Sequence, residues 1–268
     1  MSKFDIKDQL DKLIYGLYNF GSELKYNIDF NSKRAIKKNI KFKDVHAGER
    51  CFILGTGPSL KLLTAQQRES LRKETLFGVN SLYKSDIGRE LSPKYYVLMD
   101  NLYWEQWSST FTEVSNQYKD CPPIFITDLR AKYLVESLPV KNQAVYIYSK
   151  KYPVNQMSAD IDENIYAAMN VISYSILSAI YMGFREIYLL GCDYSAFCTA
   201  GKGHCYDDES EISQSNYNLA FYLRFYWITT EFHYLIAKLA KEKGVKVVNL
   251  TQNSLLDAYP RLSVSDTL

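Results

Sequence analysis

The stretch Arg50-Cys51-Phe52-Ile53-Leu54-Gly55-Thr56-Gly57-Pro58-Ser59-Leu60-Lys61 decides the fold, because an apolar run empties there into a turn of small residues and a proline. Cys51 to Leu54 carry no polar break and suit a strand buried on both faces of a parallel sheet. Gly55 and Gly57 lack a β-carbon, so a nucleotide phosphate or base can lie against the main chain. Pro58 presets φ for a first helical turn. The motif is neither G-x-G-x-x-G nor G-x-x-x-x-G-K-[ST], since Leu60 and Lys61 stand where those patterns need other residues. A dinucleotide site is therefore disfavoured, and the spacing alone also fits an ordinary strand-to-helix turn.

Outward from this stretch, strand patterns alternate with helical ones. Strands are expected at Cys51 to Leu54, Leu76 to Val79, Tyr95 to Met99, Ile124 to Thr127, Ala144 to Tyr148, Glu186 to Leu190 and Lys246 to Leu250. Helices are expected at Ser59 to Lys73, Leu102 to Tyr118, Glu163 to Met182 and Ser213 to Lys243. The alternation predicts an α/β fold with a mostly parallel sheet and helices on both faces. Residues 3–25 place Phe4, Ile6, Leu10, Leu13, Ile14, Leu17 and Tyr18 at helical spacing, an amphipathic helix expected outside the main fold. A basic connector follows, with Lys33, Arg34, Lys37, Lys38, Lys41 and Lys43. The division expected is thus 1–45, helix and connector, and 46–268, one α/β domain.

Composition narrows the partners. A net charge of +2 over 268 residues gives no electrostatic footprint for nucleic acid. The early basic cluster reads either as a solvated connector or as a patch for an anionic membrane. Cysteines at 51, 121, 192, 198 and 205 form no C-x-x-C pair, as reduced cytosolic thiols would. No secretory leader pattern opens the chain, so a cytoplasmic site is expected, with peripheral contact at the inner membrane face through residues 1–45. Ala167 to Phe184, interrupted by Asn170, Ser173, Ser175 and Ser178, reads as a buried helix. The 23 tyrosines fit a sugar-binding cleft of stacking rings as well as they fit a tyrosine-rich core.

Ligands of such sheets sit outside the carboxyl ends of the strands. The exits read Gly55-Thr56-Gly57, Asn80-Ser81, Asp100-Asn101, Thr127-Asp128, Gly191-Cys192-Asp193 and Thr251-Gln252-Asn253, each polar after an apolar run. Turn capping accounts for any one of them taken singly. Residues 195–212 form a polar loop with Gly201, Lys202, Gly203, His204, Tyr206, Asp207 and Asp208, the pattern of a lid. His204 is the candidate base; His233, in an aromatic helix, reads as packing. Asp160-Ile161-Asp162 has metal-binding D-x-D spacing but reads better as a helix cap, so neither a metal nor a cofactor is expected. Nothing suggests a zinc site or a serine-hydrolase elbow.

Five motifs occur in a telling order: Gly55-Thr56-Gly57-Pro58-Ser59-Leu60, Phe77-Gly78-Val79-Asn80-Ser81-Leu82-Tyr83, Tyr95-Tyr96-Val97-Leu98-Met99-Asp100, Ile187-Tyr188-Leu189-Leu190-Gly191-Cys192-Asp193 and Asn253-Ser254-Leu255-Leu256. Over residues 49–259 the chain resembles bacterial family-42 sialyltransferases and the related group named after 6-hydroxymethylpterin diphosphokinase, which includes flagellin and surface-polysaccharide glycosyltransferases. The resemblance implies a Rossmann-like fold, a CMP-linked sugar donor, no required metal, inversion at the anomeric carbon and a histidine base on a lid. Carried over, Gly55, Thr56, Gly57, Pro58, Ser59 and Asn80 bind the nucleotide, and Asp100 takes the place of an asparagine near the donor. Asp193, Lys202, Asn253 and Ser254 complete the donor set, and His204 is the base. The family has asparagine where this chain has Thr56, and Ser195 stands where a phosphate-binding tyrosine is expected, leaving Tyr194 or Tyr206 to supply the phenol.

The expected activity is transfer of a nonulosonic-acid-like or other sugar from a nucleotide donor to a surface glycan or glycolipid, by a chain able to form homo-oligomers. A base must take the acceptor proton, and backbone N–H groups from Gly55 to Ser59, a tyrosine hydroxyl and Lys202 must meet the departing phosphate. The alternatives are a Mg²⁺-dependent pterin-type diphosphokinase and a non-catalytic nucleotide- or glycan-binding scaffold.

Overall fold

A computed structural model describes residues 3–139, 143–198, 203–207 and 217–268. Eight strands form the sheet: β1 (Arg50–Leu54), β2 (Thr75–Val79), β3 (Tyr95–Leu98), β4 (Ile124–Asp128), β5 (Ala144–Lys151), β6 (Asn164–Tyr166), β7 (Glu186–Leu190) and β8 (Lys246–Asn249). The helices are α1 (Lys3–Ile28), α2 (Phe30–Lys37), α3 (Ala65–Leu71), α4 (Asp86–Glu90), α5 (Leu102–Glu105), α6 (Ser109–Gln117), α7 (Lys132–Glu136), α8 (Val171–Tyr181) and α9 (Leu219–Glu242). The strands lie in the order β6-β5-β4-β3-β2-β1-β7-β8, and every pairing is parallel. This is the expected Rossmann-like α/β fold. The order runs outward from β1 in one direction and resumes at β7 in the other, so the topological switch lies between β1 and β7.

Strand residues alternate between two packed layers, as a period of two requires. Cys51, Ile53, Phe77, Val79, Ile187 and Leu189 join one core with Ile176 and Ile180 of α8 and Phe232 and Ile236 of α9. Phe52, Leu54, Leu76 and Leu190 face the other side with Leu71 of α3, and Tyr96, Leu98 and Phe125 continue that layer with Phe111 and Val114 of α6. Both faces are covered, which is why these strands read as unbroken apolar runs.

Several expected helices divide, each for a local reason. Pro58 to Leu62 is a 3-10 turn, and α3 starts afresh behind Thr64, whose side chain accepts from Gln67 N while the Gln67 side chain accepts from Thr64 N. The expected helix from Glu163 begins only at Val171, because Asn170 caps it and Asn164–Tyr166 pairs with β5. Asp160-Ile161-Asp162 therefore precedes an edge strand, not a helix. A bend also splits the run from Leu102 to Tyr118 into α5 and α6.

The N-terminal segment is joined to the sheet more closely than the sequence suggests. Asn19 exchanges two hydrogen bonds with the main chain of Tyr152, at 2.9 and 2.6 Å, and Tyr15 stacks on the Tyr152 ring at 3.8 Å. Tyr26 and Ile36 are fully buried against Tyr148, and Asn39 donates to the carbonyls of Tyr146 and Ile161. The basic connector is thus partly a packed edge of the domain. No described helix is long and apolar enough to cross a membrane.

Candidate functional site

The β1 and β7 exits form one interlocked pair of turns. Gly55 N donates to Leu190 O at 2.7 Å and Gly57 N to Gly191 O at 2.8 Å, which carries the pairing past the strands. A β-carbon on Gly55 would fall 2.3 Å from Gly191 O, and one on Gly57 would fall 1.8 Å from Asp193 Oδ2. The two glycines are required by the neighbouring turn itself. Gly191 takes φ +66°, a left-handed conformation that glycine adopts without penalty.

Asp193 closes the pair. Its Oδ1 accepts from Ser59 N at 3.2 Å and its Oδ2 from Ser59 Oγ at 2.7 Å, so the carboxylate caps the 3-10 turn. The N–H groups of Gly55, Gly57 and Ser59 are all taken and Pro58 has none, which leaves Thr56 as the remaining amide of the run expected to cradle phosphate. Ser254 is buried: its Oγ donates to Cys192 O at 2.6 Å and accepts from Asn249 Nδ2 and Leu256 N. It locks two loops together. Asn253 holds a left-handed turn at φ 57°.

Behind these turns lies a cavity of about 160 Å³ whose lining includes Thr56, Asn80, Asn170, Asp193, Tyr194 and His204. It adjoins a wider chamber of about 890 Å³ that shares Asn80, Asn170, Val171 and Phe225 with it. Asn80 is held at φ 47°, and its buried Oδ1 has no hydrogen-bond partner among the described residues. A buried acceptor on a cavity wall is a place for a ligand's N–H or O–H.

His204 sits on the near wall. Its ring stacks on Tyr206 at 5.0 Å, 8° from parallel, while Cys205 N donates to Thr56 O at 2.7 Å and ties this part of the loop to the β1 exit. The two tyrosines offered for phosphate binding are otherwise engaged. Tyr206 packs into the core beside Leu60 and Leu250, and the Tyr194 hydroxyl meets Thr229 of α9. Burial holds the Tyr194 phenol above its ordinary pKa, although hydrogen bonds from the Thr229 and Thr230 hydroxyls work in the opposite direction. Lys202, Gly201 and Asp208 lie outside the described residues. Asp100 Oδ1 accepts from Leu102 N at 3.0 Å, and the residue lines the wider chamber.

That chamber holds groups the sequence did not single out. Arg130 pairs with buried Asp128 through Nε and Nη2, both at 2.9 Å, and its guanidinium lies 4.8 Å from the Trp104 ring centre. The carboxylate raises the Arg130 pKa further, and burial lowers that of Lys150 despite the same Asp128 at 3.9 Å. Arg224, Tyr15 and Tyr152 stand on the same walls. Asp128 is a strand exit and so was in view; Arg130, two residues on, carries no motif.

His233 is fully buried between Ser173 Oγ, 3.3 Å from its Nε2, and the Tyr259 hydroxyl, 3.0 Å from its Nδ1. Burial pushes its pKa down from 6.5 to about 3. The unfolded chain therefore binds the extra proton first, so the contribution is complete above pH 6.5 and is lost as pH falls toward about 3. His233→Gln should lower stability at pH 8 yet flatten the acid limb by up to about 1.4 kcal/mol per pH unit. Urea midpoints of both proteins from pH 8 to 4 check this; parallel curves would contradict it. Burial likewise raises the thiols of Cys51 and Cys192 and lifts Cys205 to about 11, so these three are not thiolate nucleophiles at neutral pH.

Residues 19–197, most of the chain, match the family described as 6-hydroxymethylpterin diphosphokinase MptE-like. The chain belongs to this family. The MptE-like chain is also similar in structure to the MAf glycosyltransferase from Magnetospirillum magneticum AMB-1, with a TM-score of 0.50 and 12% identity over 87% of this chain. It spans 38% of that enzyme's length. The sialyltransferase CstII from Campylobacter jejuni, solved with the substrate analogue CMP-3FNeuAc, aligns at a TM-score of 0.49 and 19% identity over 80% of this chain and 86% of its own. A substituted CST-II in complex with CMP aligns at 0.48 and 18%, with the same coverage. At these identities the likeness is one of fold. No curated protein matches the MptE-like chain.

Proposed function

We propose that this MptE-like protein is a glycosyltransferase that takes a nucleotide-activated sugar, CMP-linked by preference, at the β1/β7 exits and passes the sugar to a hydroxyl of a glycan or glycolipid. The observation that carries the reading is the buried, unpartnered Oδ1 of Asn80 on the wall shared by both cavities, with His204 on the near side. The narrow cavity is assigned to part of the nucleotide, whose exocyclic amine or ribose hydroxyl would donate to that oxygen. The wide chamber, walled by Trp104, Tyr15, Tyr152 and two arginines, is assigned to the sugars, which lay their C–H faces on aromatic rings.

In the proposed step, His204 accepts the proton of the attacking hydroxyl as the new C–O bond forms at the anomeric carbon and the bond to the donor phosphate breaks with inversion. The Thr56 amide and Lys202 are assigned to the departing nucleotide phosphate. Metal independence belongs to the same reading, supported by where the carboxylates are engaged. Both oxygens of Asp193 hold Ser59, Asp160 accepts from Ser158, and Asp162 lies 3.5 Å from Lys37 Nζ.

Calorimetry with CMP, UDP, GDP, ATP and a dihydropterin, followed by a sugar-transfer assay with and without EDTA, tests the proposal. CMP should bind and transfer should survive chelation. ATP and pterin binding without CMP binding, or activity lost to EDTA and restored by Mg²⁺, would favour the family's diphosphokinase chemistry instead.

A further inference from the structure

Part of the wide chamber has a chemistry of its own. Helix α9 buries side chains only from Thr229 onward, and none of Leu219 to Ile228 is buried. Phe221, Arg224, Phe225 and Ile228, at helical spacing on that first half, line the chamber. Tyr15 of α1 and Tyr152 line it too, their rings stacked at 3.8 Å and 14° from parallel. Burial raises the pKa of the Tyr152 phenol, and the Arg224 charge acts on it in the opposite direction, which places the guanidinium beside the stacked pair.

The charges of the chamber do not cancel at this point. Arg130 is paired with Asp128, and Asp100 accepts from Leu102 N. Arg224 is exposed and has no carboxylate partner among the described residues. Asp11 also acts on the Tyr152 phenol, but from outside the chamber's lining. A guanidinium is a planar fork suited to a carboxylate or a phosphate, and an aromatic ring suits the C–H face of a sugar. Side by side, they fit a sugar that carries negative charge.

Position says which substrate that sugar belongs to. Tyr15, Tyr152 and Arg224 line the wide chamber and not the narrow cavity assigned to the nucleotide. The donor's own sugar is bonded to the nucleotide and must lie against the shared wall, so this part of the chamber is left to the acceptor. Tyr15 and Arg224 also lie outside residues 19–197, the stretch that matches the family, which suits a feature of this chain's own specificity.

We infer that the acceptor is an acidic saccharide, whose charged sugar docks on Tyr15 and Tyr152 with its carboxylate or phosphate on Arg224. The inference rests on the assignment of the wide chamber to sugars, and it makes Arg224 a specificity-determining residue.

Calorimetry on the full chain tests it with two charged trisaccharides, one ending in a uronic acid and one in a sugar 6-phosphate, each beside its neutral counterpart. The parent should bind one charged form at least about 10-fold more tightly than its neutral counterpart, and which one identifies the anion. Added salt should shrink that preference. Arg224→Ala should bring the charged ligand down to the neutral one's affinity, Arg224→Lys should keep part of the gain, and both should melt as the parent does because the side chain is exposed. Tyr15→Leu, which keeps an apolar contact with Tyr152, should weaken charged and neutral forms alike. A parent that binds charged and neutral forms equally, or binds none, overturns the inference, and so does a preference that Arg224→Ala leaves intact. CMP titrated in the same series keeps the two readings apart. CMP binding without a charge preference removes this subsite alone, whereas a charge preference without CMP binding removes the donor assignment alone.

Discussion

His204→Ala is expected to lower kcat for sugar transfer by about 10² to 10⁴, with little change in donor affinity. The expectation rests on the proposed role of His204 as the base: the ring lines the narrow cavity, and its flat contact is to Tyr206, which is anchored in the core. Removal of the imidazole leaves that tyrosine and the Cys205-to-Thr56 hydrogen bond in place, so the fold should melt as the parent does. The rate should be read beside that of His233→Gln at matched folded fraction. His204→Ala should lose turnover and keep stability, whereas His233→Gln should keep turnover and lose stability. A His204→Ala protein with parental kcat would remove His204 from the mechanism and leave the loop a cover alone.

The parts of this fold that were legible in the sequence are those where one residue's environment follows from its neighbours in the chain. Cys51 to Leu54 and Glu186 to Leu190 announce themselves because both faces of the strand are buried, and the polar residues after them mark the carboxyl edge that carries the candidate site. β6 was hidden for the converse reason. Its three residues, Asn164 to Tyr166, run straight into apolar positions of helical spacing, and only the Asn170 cap separates the two. Side chains whose partners come from afar were read less well. Ser254 and Tyr206 look like ligands in a polar stretch but satisfy Cys192 and the core beside Leu60, while Arg130 gains its place from Asp128 and Trp104 together. The N-terminal helix shows both limits at once. Its amphipathic stripe was visible, but Asn19, polar and unremarkable in sequence, is what fastens it to Tyr152.

A large loss of stability is expected from a single methyl group at the β1 exit turn. If Gly55 were small only to let a ligand approach, Gly55→Ala would cost affinity and spare stability. The geometry requires the reverse. The added carbon would lie 2.3 Å from Gly191 O and 2.9 Å from Gly191 C, both backbone atoms of a turn held by Gly55 N, Gly57 N and Thr251 Oγ1, so no side chain can swing aside to relieve it. Separating β1 from β7 at their exits strains the central pairing of the sheet, for which a loss of about 3 kcal/mol or more is expected. In a chain of this size that is a fall in Tm of roughly 6 to 12 °C. Gly57→Ala meets a different neighbour first, the Asp193 carboxylate at 1.8 Å, which can rotate at the expense of its two bonds to Ser59. Its cost should be smaller, and Asp193→Ala in the same chain should recover part of it, whereas Asp193→Ala should not rescue Gly55→Ala. Thermal melts of the four variants without ligand decide the matter: a Gly55→Ala protein that melts with the parent would mean that the two exits are not packed turn on turn, and that the glycine answers to a ligand after all.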